Sequence, residues 1–176
     1  MKKWFIIITL ILIFPANVLA ANLTTISPQD FISAYKSQVR MAFKGLDAPY
    51  QRYKQNFIIH DVVYVSTRNT YVAIVDNTNI MNLMWIDVGE NNGIKTITVT
   101  ISDNHPDLLN VLFHYMDLIT NTIGMYGVID MNELINVIKR YQDSYIFSYR
   151  GDRYIITSYK NTFSNMNFTA INLSAY

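Results

Sequence analysis

Cysteine is missing from all 176 residues. That excludes a disulfide framework, a thiol nucleophile and a lipidated N-terminal cysteine. Glutamate is nearly missing too: Glu90 sits among turn residues and Glu133 at a helix start, so a glycosidase-type carboxylate pair would have to be made of aspartates. Charge is sparse at 15% and balanced, with 14 basic residues against 13 acidic, and no excess of either sign draws the chain to nucleic acid or an anionic membrane. No Gly-x-Ser-x-Gly elbow or His-Glu-x-x-His pair occurs. Internal repeats, low-complexity tracts and a linker long enough to divide the chain are absent as well.

What is there begins with an export signal. Lys2 and Lys3 precede the apolar run 4–14 (WFIIITLILIF), Pro15 interrupts it, and Val18-Leu19-Ala20 places side chains suited to a bacterial-type leader cleavage site. The expectation is a signal peptide over 1–20 and a periplasmic or secreted protein. The alternative is an uncleaved anchor, since 4–20 is about the shortest length that crosses a bilayer. Removing 1–20 leaves 156 residues, about one domain. It also removes Lys2 and Lys3, leaving 12 basic residues against 13 acidic and a net charge of −1. A chain of that length buries enough surface for a core without covalent staples.

The mature part reads as a single α+β domain over 21–176, ordered α-ββββ-αα-βββ, with helices on one face of a mostly antiparallel sheet. Ser27-Pro28-Gln29-Asp30 is a helix start, with Ser27 as N-cap and Pro28 at the first helical position. Phe31, Ala34, Tyr35, Ala42 and Phe43 form its apolar stripe, and Gly45 closes it. The period then changes to two. Segments 57–65, 70–75, 80–88 and 94–101 are β-branched or aromatic runs joined by short turns, which implies an antiparallel meander. In the last of them Ile97, Val99 and Ile101 alternate with Thr96, Thr98 and Thr100, predicting a dry face and a wet or lightly covered one.

Asn104-His105-Pro106-Asp107 opens a second helix to about Thr122, with Pro106 again at the first position. Only Asn110, His114, Asp117 and Asn121 interrupt its apolar surface, so more than one side is covered. Asp130 to Glu133 resembles a capping box and starts a third helix with Leu134, Ile135, Val137, Ile138 and Tyr141 buried. Strands at 145–149 and 154–159 flank the tight hairpin Arg150-Gly151-Asp152-Arg153, in which Gly151 supplies positive φ, and a strand at 168–173 ends the chain.

Chemistry-bearing residues are few. His60, His105 and His114 lack metal-ligand spacing, and a cation at Asp103, His105 and Asp107 would face a helix N-terminus that repels it. No cofactor or metal is expected. Asp61 and Asp87, read as lying on neighbouring strands, are the mid-strand carboxylates an aspartate hydrolase would use. Arg150-Gly151-Asp152 spells the tripeptide that integrins read, although each residue is also ordinary turn chemistry. Asn22, Asn167 and Asn172 head glycosylation sequons, read as chance in an Asn-rich chain.

The remaining signal is tyrosine beside arginine. Tyr149, Arg150, Arg153 and Tyr154 crowd one hairpin, and Tyr50, Arg52 and Tyr53 share the loop after the first helix. Both residue types are enriched at protein interfaces. The expected function is therefore an exported, non-catalytic protein that binds another protein, as an accessory, regulatory or inhibitor-type factor, alone or as a homo- or hetero-oligomer. A signal-anchored partner of a membrane regulator is the alternative. A carrier of a small apolar ligand is another, its pocket lined by Met81, Met84, Trp85, Leu112, Phe113 and Met116.

Overall fold

A computed structural model of the protein describes residues 22–47, 51, 53–75, 82–140, 144–163 and 166–176. Within them the elements run α1 (Pro28–Ala42), β1 (Asp61–Val65), β2 (Thr70–Ile74), β3 (Leu83–Val88), β4 (Ile94–Ser102), α2 (Leu108–Thr122), α3 (Met131–Arg140), β5 (Ser144–Tyr149), β6 (Asp152–Phe163) and β7 (Met166–Ala175). The expected α-ββββ-αα-βββ order holds. All seven strands form one antiparallel sheet, β1-β2-β3-β4-β7-β6-β5. The two meanders meet where β7 pairs with β4, in a register that sets Thr98 opposite Asn172.

Local chemistry explains the starts of α1 and α3. The Ser27 hydroxyl accepts the Asp30 amide, and Pro28 begins α1 where its missing N–H costs nothing. Asp130 accepts the amides of Asn132 and Glu133 at the start of α3. The third start corrects the sequence reading: α2 begins at Leu108 with Asp107 as N-cap, so Pro106 precedes the cap. The Asp107 amide donates to Nδ1 of His105 at 3.2 Å, which holds residues 105–107 in a turn outside the helix.

Turns use asparagine as well as glycine where the backbone enters the left-handed region. Asn69 links β1 to β2 with φ 50°, and Asn91 and Asn92 do so between β3 and β4. At that second turn Asn22 bonds both the carbonyl and the amide of Glu90, and Thr24 bridges to Ile94. Gly93 permits the approach: a Cβ there would lie 2.7 Å from the Thr24 carbonyl oxygen.

The helices cover one sheet face. Ala73, Met84, Ile86, Ile97, Val99, Ile101, Ile171, Leu173 and Ile156 pack with Phe31, Tyr35, Tyr115, Met116 and Leu134 into one core. The Ser158 hydroxyl donates to the Val137 carbonyl at 2.6 Å and ties α3 to β6. Two expectations about packing need correcting. Ala42 is exposed, and Ile32 and Val39 join Phe31, Tyr35 and Phe43 in the stripe of α1. The threonine face of β4 is not wet: Thr96, Thr98 and Thr100 are 1%, 7% and 2% exposed. Their strand is central, and the larger Leu83, Trp85, Phe168 and Asn172 flank them on β3 and β7. The first strand is also shorter than its apolar run. Phe57 closes a 3₁₀ turn (Lys54–Phe57) and meets the Tyr115 ring edge-on, so pairing begins only at Asp61.

Candidate functional site

The polar strip of α2 lines an open groove. Asp107, Asn110, His114 and Asp117 recur at three- and four-residue spacing, so one helix face carries all four. Opposite them stand Ala42 and Phe43 at the end of α1, then Leu46 and Tyr53; Leu118 also lines the groove, whose volume is about 670 Å³. The Tyr53 ring meets His114 edge-on at 5.6 Å, and Phe43 lies 6.5 Å from Tyr53. His114 is exposed and Asp117 half-buried.

Electrostatically the groove is acidic. Among the described lining residues there is no lysine or arginine to offset Asp107 and Asp117. Asp107 accepts the neutral side-chain amide of Asn110 at 2.7 Å. The Tyr53 hydroxyl is buried with no hydrogen-bond partner among the described residues. Its pKa is pushed well above the ordinary phenol value, first by burial and then by repulsion from Asp107. The phenol therefore stays neutral at ordinary pH.

A second surface is the β5–β6 hairpin. Arg150 and Gly151 both take positive φ, 53° and 94°, a two-residue connection of the type that matches strand twist. The Arg150 guanidinium lies 5.2 Å above the Tyr149 ring, and that of Arg153 4.1 Å above Tyr176. Arg150 and Arg153 are exposed. The tyrosines differ. Tyr149 is anchored from below, its hydroxyl donating to the Gly124 carbonyl at 2.7 Å. Tyr154 is 7% exposed and stacked on Phe147, so it supports the hairpin from the core and is not on the surface. Of the loop patch expected after α1, only Tyr53 is placed, in the groove; Tyr50 and Arg52 lie outside the described residues.

The other candidates separate. Asp61 lies in β1 and Asp87 in β3, with β2 between them, and the register sets them four residues apart along the strands. That is roughly 16 Å, too far for a carboxylate pair and a correction to the neighbouring-strand reading. Asp87 instead accepts the hydroxyls of Thr70 and Thr96, both at 2.6 Å. Met84 and Trp85 are consecutive strand residues on opposite faces, so they cannot line one pocket, and Met84, Leu112 and Met116 belong to the shared core; Met81 lies outside the described residues.

His60 precedes β1, exposed, and Nε2 of His105 meets the Asn56 amide oxygen. Among the described residues, no three metal-ligating side chains cluster. Ser33 and Lys36, three residues apart on α1, are both exposed. Asn172 is buried and donates to Thr98, which leaves its sequon unavailable in the folded state.

No described helix is long and apolar enough to cross a membrane. The chain matches no protein-family model, no curated protein and no solved structure.

Proposed function

We propose that this is an exported, non-catalytic protein, released from a leader over residues 1–20, that acts by binding another protein through the tip of its β5–β6 hairpin. The observation that carries the reading is the pair of exposed guanidinium groups at this end of the hairpin, Arg150 in the two-residue turn over Tyr149 and Arg153 at the start of β6 over Tyr176. Recognition by long side chains normally costs the entropy of ordering them on binding. Here the turn is short, Tyr149 is bonded to Gly124, and Tyr154 is packed on Phe147, so the platform is held before a partner arrives. Separation of Asp61 from Asp87 supports the non-catalytic half of the reading.

The test is capture of partners from the native envelope with the mature chain and with an Arg150→Glu/Arg153→Glu variant. Loss of a captured protein at an unchanged melting temperature is expected. Equal capture by the two forms would refute the hairpin as the contact. Intact-mass measurement checks export separately: a mature form lacking residues 1–20 outside the cytoplasm is expected, and a cytosolic form retaining Met1 would sink it.

A further inference from the structure

The face of the sheet turned away from the helices is as dry as the one they cover. We propose that in the uncleaved chain the apolar run 4–14 of the leader lies across this second face and shields it, a surface distinct from the hairpin. Register defines the face. Val72, Trp85, Thr98 and Asn172 stand side by side on β2, β3, β4 and β7; Leu83, Thr100 and Ala170 follow one pleat on, then Phe168. Val72, Phe168 and Ala170 are 0% exposed, Leu83 1% and Trp85 6%. None of these five belongs to the core that the helices share with the sheet. Alternate side chains of a strand point to opposite faces, so helices behind the sheet cannot shield them. Lateral neighbours close the flanks of a phenylalanine but not its outer edge, so full burial of Phe168 requires a cover above it.

Length and chemistry select the occupant. Of the segments outside the described residues, only 1–21 is longer than six residues. Its run WFIIITLILIF carries no charge and a single hydroxyl, Thr9. Such a cover suits the face, whose polar groups are already paired with one another. Thr70 and Thr96 donate to Asp87, Asn172 donates to Thr98, and Thr100 donates to the Leu83 carbonyl. Methyl groups and rings are left to be covered, and they gain from burial under apolar side chains. The four strands are about 14 Å across, and a run of this length extends about 16 Å even when coiled as a helix. Reach agrees as well. Asn22 is bonded to Glu90 in the turn that joins β3 to β4, so the chain before it starts at the end of the two central strands, with 15–21 as the connection. Removing the leader uncovers the face, and the mature chain then carries an apolar contact surface that its precursor hides.

Because the chain has no cysteine, a single introduced thiol is a clean probe. Thr100→Cys, on the second face, is labelled with a maleimide in the full chain made without export and in residues 21–176. Labelling about tenfold or more faster in the shorter form is expected, with Val99→Cys, on the helix-covered face, slow in both. Equal rates for Thr100→Cys in the two forms, with Val99→Cys slow in both, would overturn the proposal. If Val99→Cys also labels fast in the shorter form, that form has lost its fold, and a crosslink in the full chain decides. Benzoylphenylalanine in place of Ile8, and in a second variant in place of Leu10, is expected to attach on illumination to strand residues of the second face in the same chain. Attachment elsewhere, attachment to a second chain, or none from either position would overturn it. Intact-mass measurement keeps the export reading separate: a leader that is never removed would sink release from 1–20 and leave this placement standing, and normal release with equal thiol labelling would do the reverse.

Discussion

Replacing Tyr35 with phenylalanine is expected to stabilise this protein, an unusual outcome for a residue with no exposed surface. Tyr35 lies in α1 against Phe31, with ring centroids 6.1 Å apart, inside the core shared by helices and sheet. Its hydroxyl is buried and has no hydrogen-bond partner among the described residues. Leaving a buried polar group unsatisfied costs about 1–3 kcal/mol, whereas phenylalanine keeps the ring and its contacts. The expected gain at neutral pH is about 1–2 kcal/mol, or about 2–4 °C in melting temperature per kcal/mol for a chain of this size.

The gain is also expected to grow with pH. Burial pushes the Tyr35 phenol well above its ordinary pKa, so the folded chain keeps that proton when the unfolded chain releases it. A raised pKa contributes stability that is whole below the unfolded value of about 10 and is lost as pH rises beyond it, at about 1.4 kcal/mol per pH unit. Phenylalanine removes this loss. Tyr159 is raised for the same first reason, with Asp87 adding repulsion, so some alkaline destabilisation persists in the variant. Urea unfolding of both chains at neutral pH and at about pH 11 measures the two effects. A variant less stable than wild type at neutral pH, or a difference that does not widen with pH, would refute the argument.

Two further substitutions test how the elements are joined. Gly93→Ala is expected to cost about 1–3 kcal/mol, because its Cβ would meet the Thr24 carbonyl oxygen and the Asn22 amide, each at 2.7 Å; an unchanged urea midpoint would contradict that crowding. Ser158→Ala is expected to cost about 1–2 kcal/mol by leaving the Val137 carbonyl, near the end of α3, without its 2.6 Å donor. Hydrogen exchange is the discriminating measurement there: amides of α3 speed up relative to those of α1, and uniform acceleration would argue against a local tether.

Much of this architecture was legible along the chain because local rules dominate where it was legible. Ser27-Pro28 and Asp130 start helices through bonds to amides two or three residues away, and short turns permit only antiparallel neighbours. The polar strip of α2 was equally visible, since helical spacing alone puts Asn110, His114 and Asp117 on one face. Its role as the wall of a groove was not. Phe43, Leu46 and Tyr53 reach it from 60 or so residues earlier, and no local pattern encodes that distance.

The amino-acid order by itself determined the absence of disulfide and thiol chemistry, the order of helices and strands, and the alternation that gives the sheet two faces. Tertiary structure alone decided what those faces meet. Tyr154 goes into the core beside Phe147 while Arg153, one residue earlier, faces out; Asp61 and Asp87 end up apart because β2 lies between them; and the threonines of β4 are buried in a central strand flanked by larger side chains of β3 and β7. Periodicity says which side chains share a side, but the side that becomes dry depends on pairing between segments far apart in the chain.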